Sequence, residues 1–271
     1  MSLQRRQLLG LSLGVASLAG CASRLEPFVQ TPELDLYLLA GQSNMAGRGI
    51  VTEQDREASP LVVSLSATGL WIPAQEPLHF DKPSLVGVGP GLAFGKAMAA
   101  ALPPSSGRRI GLVPCAVGGT SVALWEPGAR HTDTGRLPLD DTLTRIRQAS
   151  AAGRWRGLLW HQGESDCNEA AAPAYAQRLA ALIARLRVAT GSPALPVAIG
   201  QMGRWPGRPW TRWHELVDTA HRRTVEQLQL SVFVSSEGLN HQGDNLHFDA
   251  ESARQLGLRY AKALHSLETS T

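Results

Sequence analysis

The sequence lacks features that several classes of protein require. It has only three cysteines, and no two of them stand in a CxxC spacing, so no structural zinc site is predicted. Cys115 and Cys167 could form a disulfide or stay free, and two small buried side chains are the favoured interpretation. Outside one loop of tryptophan and arginine, no basic cluster is interleaved with aromatic residues, and the formal net charge is only +3. Nucleic-acid binding is therefore not indicated.

The N-terminal residues have the composition of an export signal. Arg5 and Arg6 precede an uncharged apolar run that is too short to span a membrane, as in a twin-arginine signal. The tetrapeptide LAGC, which ends at Cys21, resembles a bacterial lipobox, in which the cysteine is lipidated. A buried first helix is the alternative. We expect an exported, membrane-anchored bacterial lipoprotein that faces the periplasm, with a signal peptide at 1–20, a linker at 21–33, one folded domain at 34–266 and a tail at 267–271.

Along the rest of the chain, apolar runs typical of buried strands alternate with segments of helical periodicity. The expected strands are LDLYLLAG, RIGLVPCAV, RGLLWHQG, LPVAIGQMG and LSVFVSSEG. The segments between them repeat apolar residues every three or four positions, as amphipathic helices do. This order predicts an α/β domain, in which helices cover both faces of a parallel sheet and the functional residues follow the carboxyl ends of the strands.

Ser43 stands just after the first expected strand, in the stretch LYLLAGQSNMAGRG. At the entry to a helix, a serine is either a nucleophile or an N-cap, and this stretch alone does not separate the two interpretations. Met45 occupies the position of the second glycine of a GxSxG elbow, which weakens an assignment to the α/β-hydrolases.

The segment HQGDNLHFDAES supplies a base for such a serine. Asp244 precedes His247 by three residues, and in a tight turn this spacing lets the carboxylate accept the Nδ1 proton while Nε2 faces outward. His161 and His241 are alternative bases, but neither has an acidic residue three positions before it. The remaining histidines are interpreted as isolated surface residues: His79, His131, His214, His221 and His265.

Four blocks of the sequence resemble, in the same order, the blocks of SGNH hydrolases. They are LAGQSNMAGRG, GLVPCAVGGTSVALW, LWHQGESD and DNLHFDAES. The similarity is greatest to the branch of sialate O-acetylesterase-like and acetylxylan esterase-like carbohydrate esterases, and it runs from about Leu34 to Leu264. It implies a three-layer α/β/α fold around a mostly parallel, flavodoxin-like sheet of five strands. It also implies a serine esterase that acts on an O-acetylated carbohydrate and uses neither a metal nor a cofactor.

The resemblance assigns roles to individual residues. Ser43 would be the nucleophile, His247 the general base and Asp244 its orienting carboxylate. The backbone amides of Ser43 and Gly118, together with the side chain of Gln162, would form the oxyanion hole. The alignment allows a slip of one position, from Gly118 to Gly119.

Two positions depart from the wider superfamily. Gln42 replaces the usual aspartate before the serine, and Gln162 replaces the usual asparagine of the third block, which puts the oxyanion geometry in question. Glu164 is an alternative partner for the histidine in this branch. Asp244 is favoured because it is only three residues away, with Glu164 as a supporting group.

The loop GRWPGRPWTRW offers flat indole rings that could stack on a sugar. Trp205 and Trp210 flank prolines and are the candidates for substrate binding, whereas Trp213 is expected to pack between a helix and the sheet. The fold alone does not name the reaction, since related scaffolds also carry other functions. The alternatives are a lipase or thioesterase of the same superfamily, and a carbohydrate-binding lipoprotein with an inactive site.

Overall fold

The structure, a computed structural model, describes residues 33–268. The predicted signal peptide at 1–20, the predicted lipidation site Cys21, linker residues 21–32 and tail residues 269–271 lie outside this range. Within the range, no helix is both long and apolar enough to cross a membrane.

The described residues form a three-layer α/β/α fold around one sheet. Its strands are β1 (Leu34–Gly41), β2 (Val62–Leu65), β3 (Trp71–Pro73), β4 (Arg109–Pro114), β5 (Gly153–His161), β6 (Val197–Gly200) and β7 (Ser231–Val234). They lie in the order β3-β2-β4-β1-β5-β6-β7. All neighbouring strands are parallel except β2 and β3, which pair antiparallel at one edge. The prediction of a mostly parallel α/β sheet is confirmed.

The predicted number of five strands was too low, because the sheet of the described residues has seven. The five expected strands are all present as β1, β4, β5, β6 and β7. Taken in chain order, these five follow the flavodoxin-like arrangement 2-1-3-4-5. The two additional strands have four and three residues and form an antiparallel pair without an intervening helix, so they lie outside the strand–helix alternation that predicted the other five.

Helices cover both faces of the sheet. They are α1 (Ser43–Ala46), α2 (Glu53–Arg56), α3 (Pro90–Ala100), α4 (Pro138–Ser150), α5 (Tyr175–Ala189), α6 (Arg212–Gln227) and α7 (Ala250–Glu268). Side chains of β1 alternate between two apolar cores, as the pleat of a strand requires. Leu36 and Leu38 join the core beneath α4, α5 and α6, whereas Tyr37 and Leu39 join the core beneath α3 and α7.

The topology places a crevice at the centre of the sheet. β1 lies between β4 and β5, and the strand order reverses between β1 and β5. At such a switch point, the loops that follow the two strands diverge and leave space for a ligand. Ser43 follows β1 and Gln162 follows β5, so both lie beside this crevice.

Candidate active site

Ser43 begins the short helix α1 directly after a close contact between two strands. Gly41 has a φ of +134°, and a Cβ there would collide with the backbone carbonyl of His161 on β5. Only glycine fits this position without strain. The sharp exit from β1 leaves Ser43 in the first helical turn, where backbone N–H groups have no partner within the helix. The N-terminal end of the helix also favours a negative charge nearby.

A hydrogen-bonded chain connects Ser43, His247 and Asp244. The Nε2 atom of His247 lies 3.0 Å from the Ser43 Oγ, and its Nδ1 atom lies 2.6 Å from the Asp244 Oδ2. The Ser43 side chain is therefore within reach of a base, and the opposite nitrogen of that base has a carboxylate partner. This is the geometry of a nucleophile, a general base and an orienting acid.

The turn before α7 holds Asp244 in an ionised state. Partial burial raises the pKa of Asp244, but hydrogen bonds from the His247 backbone, the His247 ring and the Leu246 backbone lower it more. The net pKa lies well below the usual range for aspartate. Asn245, between the two catalytic candidates, has a φ of 52°, a left-handed conformation that asparagine tolerates better than most residues.

The two alternative bases have other partners. His161 is completely buried, its Nδ1 atom lies 2.9 Å from the Tyr260 hydroxyl, and burial lowers its pKa to about 3. His241 accepts the backbone N–H groups of Gly243 and Asn245 at its Nδ1 atom. It therefore shapes the turn that carries His247.

The amide of Gly118 does not point into an open oxyanion hole, contrary to expectation. It donates a hydrogen bond of 2.7 Å to the Asp81 Oδ2, and the Nη2 atom of Arg48 binds the same oxygen at 2.8 Å. Burial raises the pKa of Asp81, but the adjacent Arg48 guanidinium lowers it more. The neighbouring Gly119 is exposed, with a φ of +85°, and no hydrogen bond from its N–H occurs within residues 33–268.

The side chain of Gln162 is likewise engaged elsewhere. It is fully buried, and its Nε2 atom faces the Gln42 Oε1 at 3.1 Å, the Thr120 carbonyl at 3.0 Å and the Asp166 Oδ2 at 2.5 Å. The Tyr175 hydroxyl donates to its Oε1 at 2.9 Å. With two hydrogens and three acceptors, the amide has no donor left for a substrate oxygen. The expected oxyanion role of Gln162 is therefore not seen, and the residue instead braces Gln42 next to the nucleophile.

Glu164 does not form a hydrogen bond with the His247 imidazole. Its Oε1 atom accepts the Nδ2 hydrogen of Asn44 at 2.7 Å. Burial raises the pKa of this carboxyl group, and its Oε2 atom has no hydrogen-bond partner within the described range. Glu164, which was predicted to be a supporting group, thus lies next to Asn44. Asp244 is the carboxylate that lies beside His247.

The expectation that Trp205 is exposed for stacking on a sugar was wrong. Its side chain is buried, its indole N–H donates to the Leu239 carbonyl at 2.8 Å, and its ring lies edge-on against His241 and Phe248. The Trp205 ring therefore packs against the loop that carries His247.

Trp210 is partly buried, and its ring makes three contacts within its own loop and the start of α6. The ring stacks against His214, carries the Arg204 guanidinium at 4.8 Å, and donates its N–H to the Gly203 carbonyl. Trp213 packs against the core, as predicted.

Several smaller expectations can also be compared with the structure. His79, His131 and His221 are buried rather than isolated at the surface, contrary to expectation. Cys115 and Cys167 are free thiols. Within residues 33–268, no group of three histidine, cysteine or acidic side chains is arranged to hold a metal ion.

Asn44, Arg48 and Asp81 belong to the site, but the sequence did not single them out. Asn44 and Arg48 stand beside Ser43 in the block LAGQSNMAGRG, so their proximity was the available signal. Asp81 had none, because it lies in a loop 37 residues before its partner Gly118.

Comparison with known proteins gives a consistent family. The model of the family described as "Carbohydrate esterase, sialic acid-specific acetylesterase" matches residues 33–266. A protein of Arabidopsis thaliana named probable carbohydrate esterase At4g34215 is 35% identical in an alignment of length 264 that covers 88% of this chain and 94% of the relative.

Solved structures agree with this result. The X-ray structure of the Arabidopsis thaliana protein AT4G34215 has a TM-score of 0.74 at 32% identity, covering 87% of this chain and 99% of its own. The crystal structure of NanS has a TM-score of 0.67 at 18% identity, covering 89% and 99%, a likeness that concerns the fold alone. The resemblance to the carbohydrate esterase branch of SGNH hydrolases is thereby confirmed. The chain belongs to the carbohydrate esterase family of sialic acid-specific acetylesterases.

Proposed function

We propose that the protein is a serine esterase that removes O-acetyl groups from a carbohydrate through an acetyl-enzyme intermediate. The observation that carries this proposal is the hydrogen-bonded chain from the Ser43 Oγ through the His247 imidazole to the Asp244 carboxylate. Membership of the carbohydrate esterase family supports the ester as the bond that is cleaved.

In the first half of the reaction, the Ser43 Oγ attacks the acetyl carbonyl carbon while His247 Nε2 takes the hydroxyl proton. Asp244 holds the remaining ring proton on Nδ1 and stabilises the imidazolium that forms. When the tetrahedral intermediate collapses, His247 returns its proton to the sugar oxygen, and the sugar leaves with a free hydroxyl. Water then attacks the acetyl-serine by the same route and releases acetate.

The negative charge on the attacked carbonyl oxygen needs nearby donors. The N–H of Ser43, in the first turn of α1, is one such donor. For the second we propose the N–H of Gly119 rather than that of Gly118, because Gly118 already donates to Asp81. No step of this mechanism uses a metal or a cofactor.

We further propose that the carbohydrate resembles the substrates of sialate O-acetylesterases or acetylxylan esterases. Hydrolysis of p-nitrophenyl acetate by the wild type, absent in Ser43→Ala, would distinguish an esterase from an inactive carbohydrate-binding protein. Faster cleavage of the octanoate than of the acetate would instead favour a lipase or thioesterase. Acetate release from O-acetylated sialic acid, xylo-oligosaccharides and peptidoglycan fragments then identifies the sugar.

We also propose that the protein is an exported lipoprotein, with lipid on Cys21 and the esterase domain facing the periplasm. The proposal rests on Arg5 and Arg6, the apolar run and the LAGC tetrapeptide. Mass spectrometry of the membrane fraction should find a diacylglycerol-modified Cys21 as the first residue. An unmodified chain that begins at Met1 would contradict the anchor.

A further inference from the structure

The side chain of Asn44 forms hydrogen bonds with the backbone on both sides of His247. Its Nδ2 atom donates to the Leu246 carbonyl at 3.0 Å, and its Oδ1 atom accepts the Phe248 N–H at 3.1 Å. Leu246 and Phe248 are the two residues that flank His247. The amide group of the residue next to the nucleophile therefore fixes the backbone of the base, across more than 200 residues of sequence.

Glu164 adds a third hydrogen bond to this amide, in the orientation that Leu246 and Phe248 also require. The Nδ2 group of Asn44 has two hydrogens, of which one faces the Leu246 carbonyl and the other faces the Glu164 Oε1 at 2.7 Å. If the amide were rotated by 180°, its oxygen would face two oxygens and its NH₂ group would face the Phe248 N–H. Glu164 thus reinforces the one orientation in which all three neighbours are satisfied.

The contacts of Glu164 do not include the imidazole. The Nδ1 atom of His247 is bound by Asp244 at 2.6 Å, and its Nε2 atom by Ser43 at 3.0 Å, so both ring nitrogens are already engaged. Asn44 is only 3% exposed, and water therefore competes little for its hydrogen bonds. Apart from a through-space charge interaction with His247, Glu164 therefore acts on the base through its hydrogen bond to Asn44.

From this arrangement we propose that Glu164 and Asn44 are positioning residues, through which the loop after β5 and the nucleophile helix together hold His247 at hydrogen-bond distance from Ser43. Three strand-end segments meet at one amide group: the residues after β1, the residues after β5 and the turn before α7. The inference rests on the proposed roles of Ser43 and His247.

The test compares two substitutions of Glu164, one that retains a hydrogen-bond acceptor for Asn44 and one that does not. Glu164→Gln retains an oxygen that can accept the Nδ2 hydrogen, and kcat for p-nitrophenyl acetate should stay within about threefold of the wild type. Glu164→Leu has no acceptor, and kcat should fall by about tenfold or more with KM within twofold, because the base moves and the substrate site does not. Glu169→Leu, exposed in the same loop, is the matched control for the loss of one charge and should leave both constants unchanged.

A reciprocal exchange adds a readout that a general loss of stability cannot imitate. Asn44→Asp sets an oxygen against the Glu164 carboxyl and the Leu246 carbonyl, and kcat should fall by about 100-fold. In the double variant Asn44→Asp/Glu164→Gln, the new glutamine amide can donate to the new carboxylate, so about tenfold of this loss should be recovered.

The kinetic results either support or contradict the proposal. Wild-type kcat in folded Glu164→Leu, or no recovery in the double variant, would overturn it. Melting temperatures identify variants that do not fold, and if Asn44→Asp is one of them, the pair Glu164→Gln and Glu164→Leu decides. Failure of the underlying esterase assignment looks different, because then the wild type is inactive or Ser43→Ala retains activity.

Discussion

The imidazole of His247 lies between the Ser43 hydroxyl and the Asp244 carboxylate, at 3.0 Å from the first and 2.6 Å from the second. One partner is 204 residues away in sequence and the other only three. The long-range contact depends on the fold, whereas the short-range contact is a property of one turn.

The hydroxyl of Ser43 is the only nucleophile in the proposed mechanism. Ser43→Ala should therefore lower kcat for p-nitrophenyl acetate by roughly 10⁴–10⁶, as removal of a triad serine does elsewhere. The circular dichroism spectrum and the melting temperature should be close to those of the wild type, since only one small side chain is shortened. Residual activity above a tenth of wild type would rule out Ser43 as the nucleophile.

Substitution of the two carboxylates near the base should have unequal effects. Asp244→Asn keeps the size of the side chain but favours the wrong tautomer of His247, and we expect kcat to fall by up to ~10⁴. Glu164→Gln should be far milder, because Glu164 contacts Asn44 and not the imidazole. Measuring both variants on one acetate ester decides the order, and a larger loss in Glu164→Gln would transfer the third catalytic role to Glu164.

The link between Arg48, Asp81 and Gly118 should matter for both activity and stability. Asp81→Ala leaves a guanidinium that is almost fully buried without its partner and the Gly118 N–H without an acceptor, which should cost about 3–5 kcal/mol in the free energy of unfolding. The adjoining Gly119 then loses its fixed position, and kcat in the folded variant should drop by about tenfold or more.

The exposed ion pair of Lys82 and Asp133 supplies the control for that experiment. Its atoms are 3.7 Å apart and the Asp133 side chain is 67% exposed, so Asp133→Ala should change stability by less than about 1 kcal/mol. Urea unfolding and kcat measured side by side separate the two cases. Equal effects of the two substitutions would contradict a role for Asp81 at the site.

Glu76 should make stability depend on pH in the neutral range. It is buried beside the start of α3, where it accepts the Leu78 and Gly89 N–H groups, and burial raises its pKa to about 8. An unfolded glutamate titrates near ~4.3, so between these values the folded state holds a proton that the unfolded state releases. The free energy of unfolding should therefore fall as pH rises from about 5 to 8, by roughly 1–3 kcal/mol.

Urea unfolding at several pH values checks this expectation. Glu76→Gln carries no proton to lose, so its stability should vary less with pH than that of the wild type over the same interval. Glu57→Gln, at an exposed position of the preceding loop, should keep the wild-type profile. Parallel pH profiles for the wild type and Glu76→Gln would show that Glu76 is ionised in the folded protein.

The sequence predicted those parts of the molecule that depend on neighbours along the chain. The five predicted strands alternate with five long helices along the chain, and Asp244 and His247 share one turn. β2 and β3 were not predicted because they form a short antiparallel pair with no helix between them, outside the regular alternation of strands and helices.

Long-range hydrogen bonds account for the remaining differences. The Gly118 N–H donates to Asp81, 37 residues away, and the Gln162 side chain donates to Gln42 and Thr120 as well as to the nearby Asp166. The distant partners cannot be found from spacing. Trp205 flanks a proline in a loop, which favours exposure, yet the Leu239 carbonyl provides a buried acceptor for its indole.

The turn from Asp244 to His247 carries the base and its carboxylate together, so the two move as one piece. Their mutual hydrogen bond is local, and the turn is held to the nucleophile helix by the Ser43 and Asn44 contacts. Local opening of this turn separates the base from the nucleophile while the sheet and the imidazole–carboxylate pair stay intact. Such an opening requires less free energy than unfolding of the whole domain, so the proposed activity depends on this turn more directly than on the stability of the sheet.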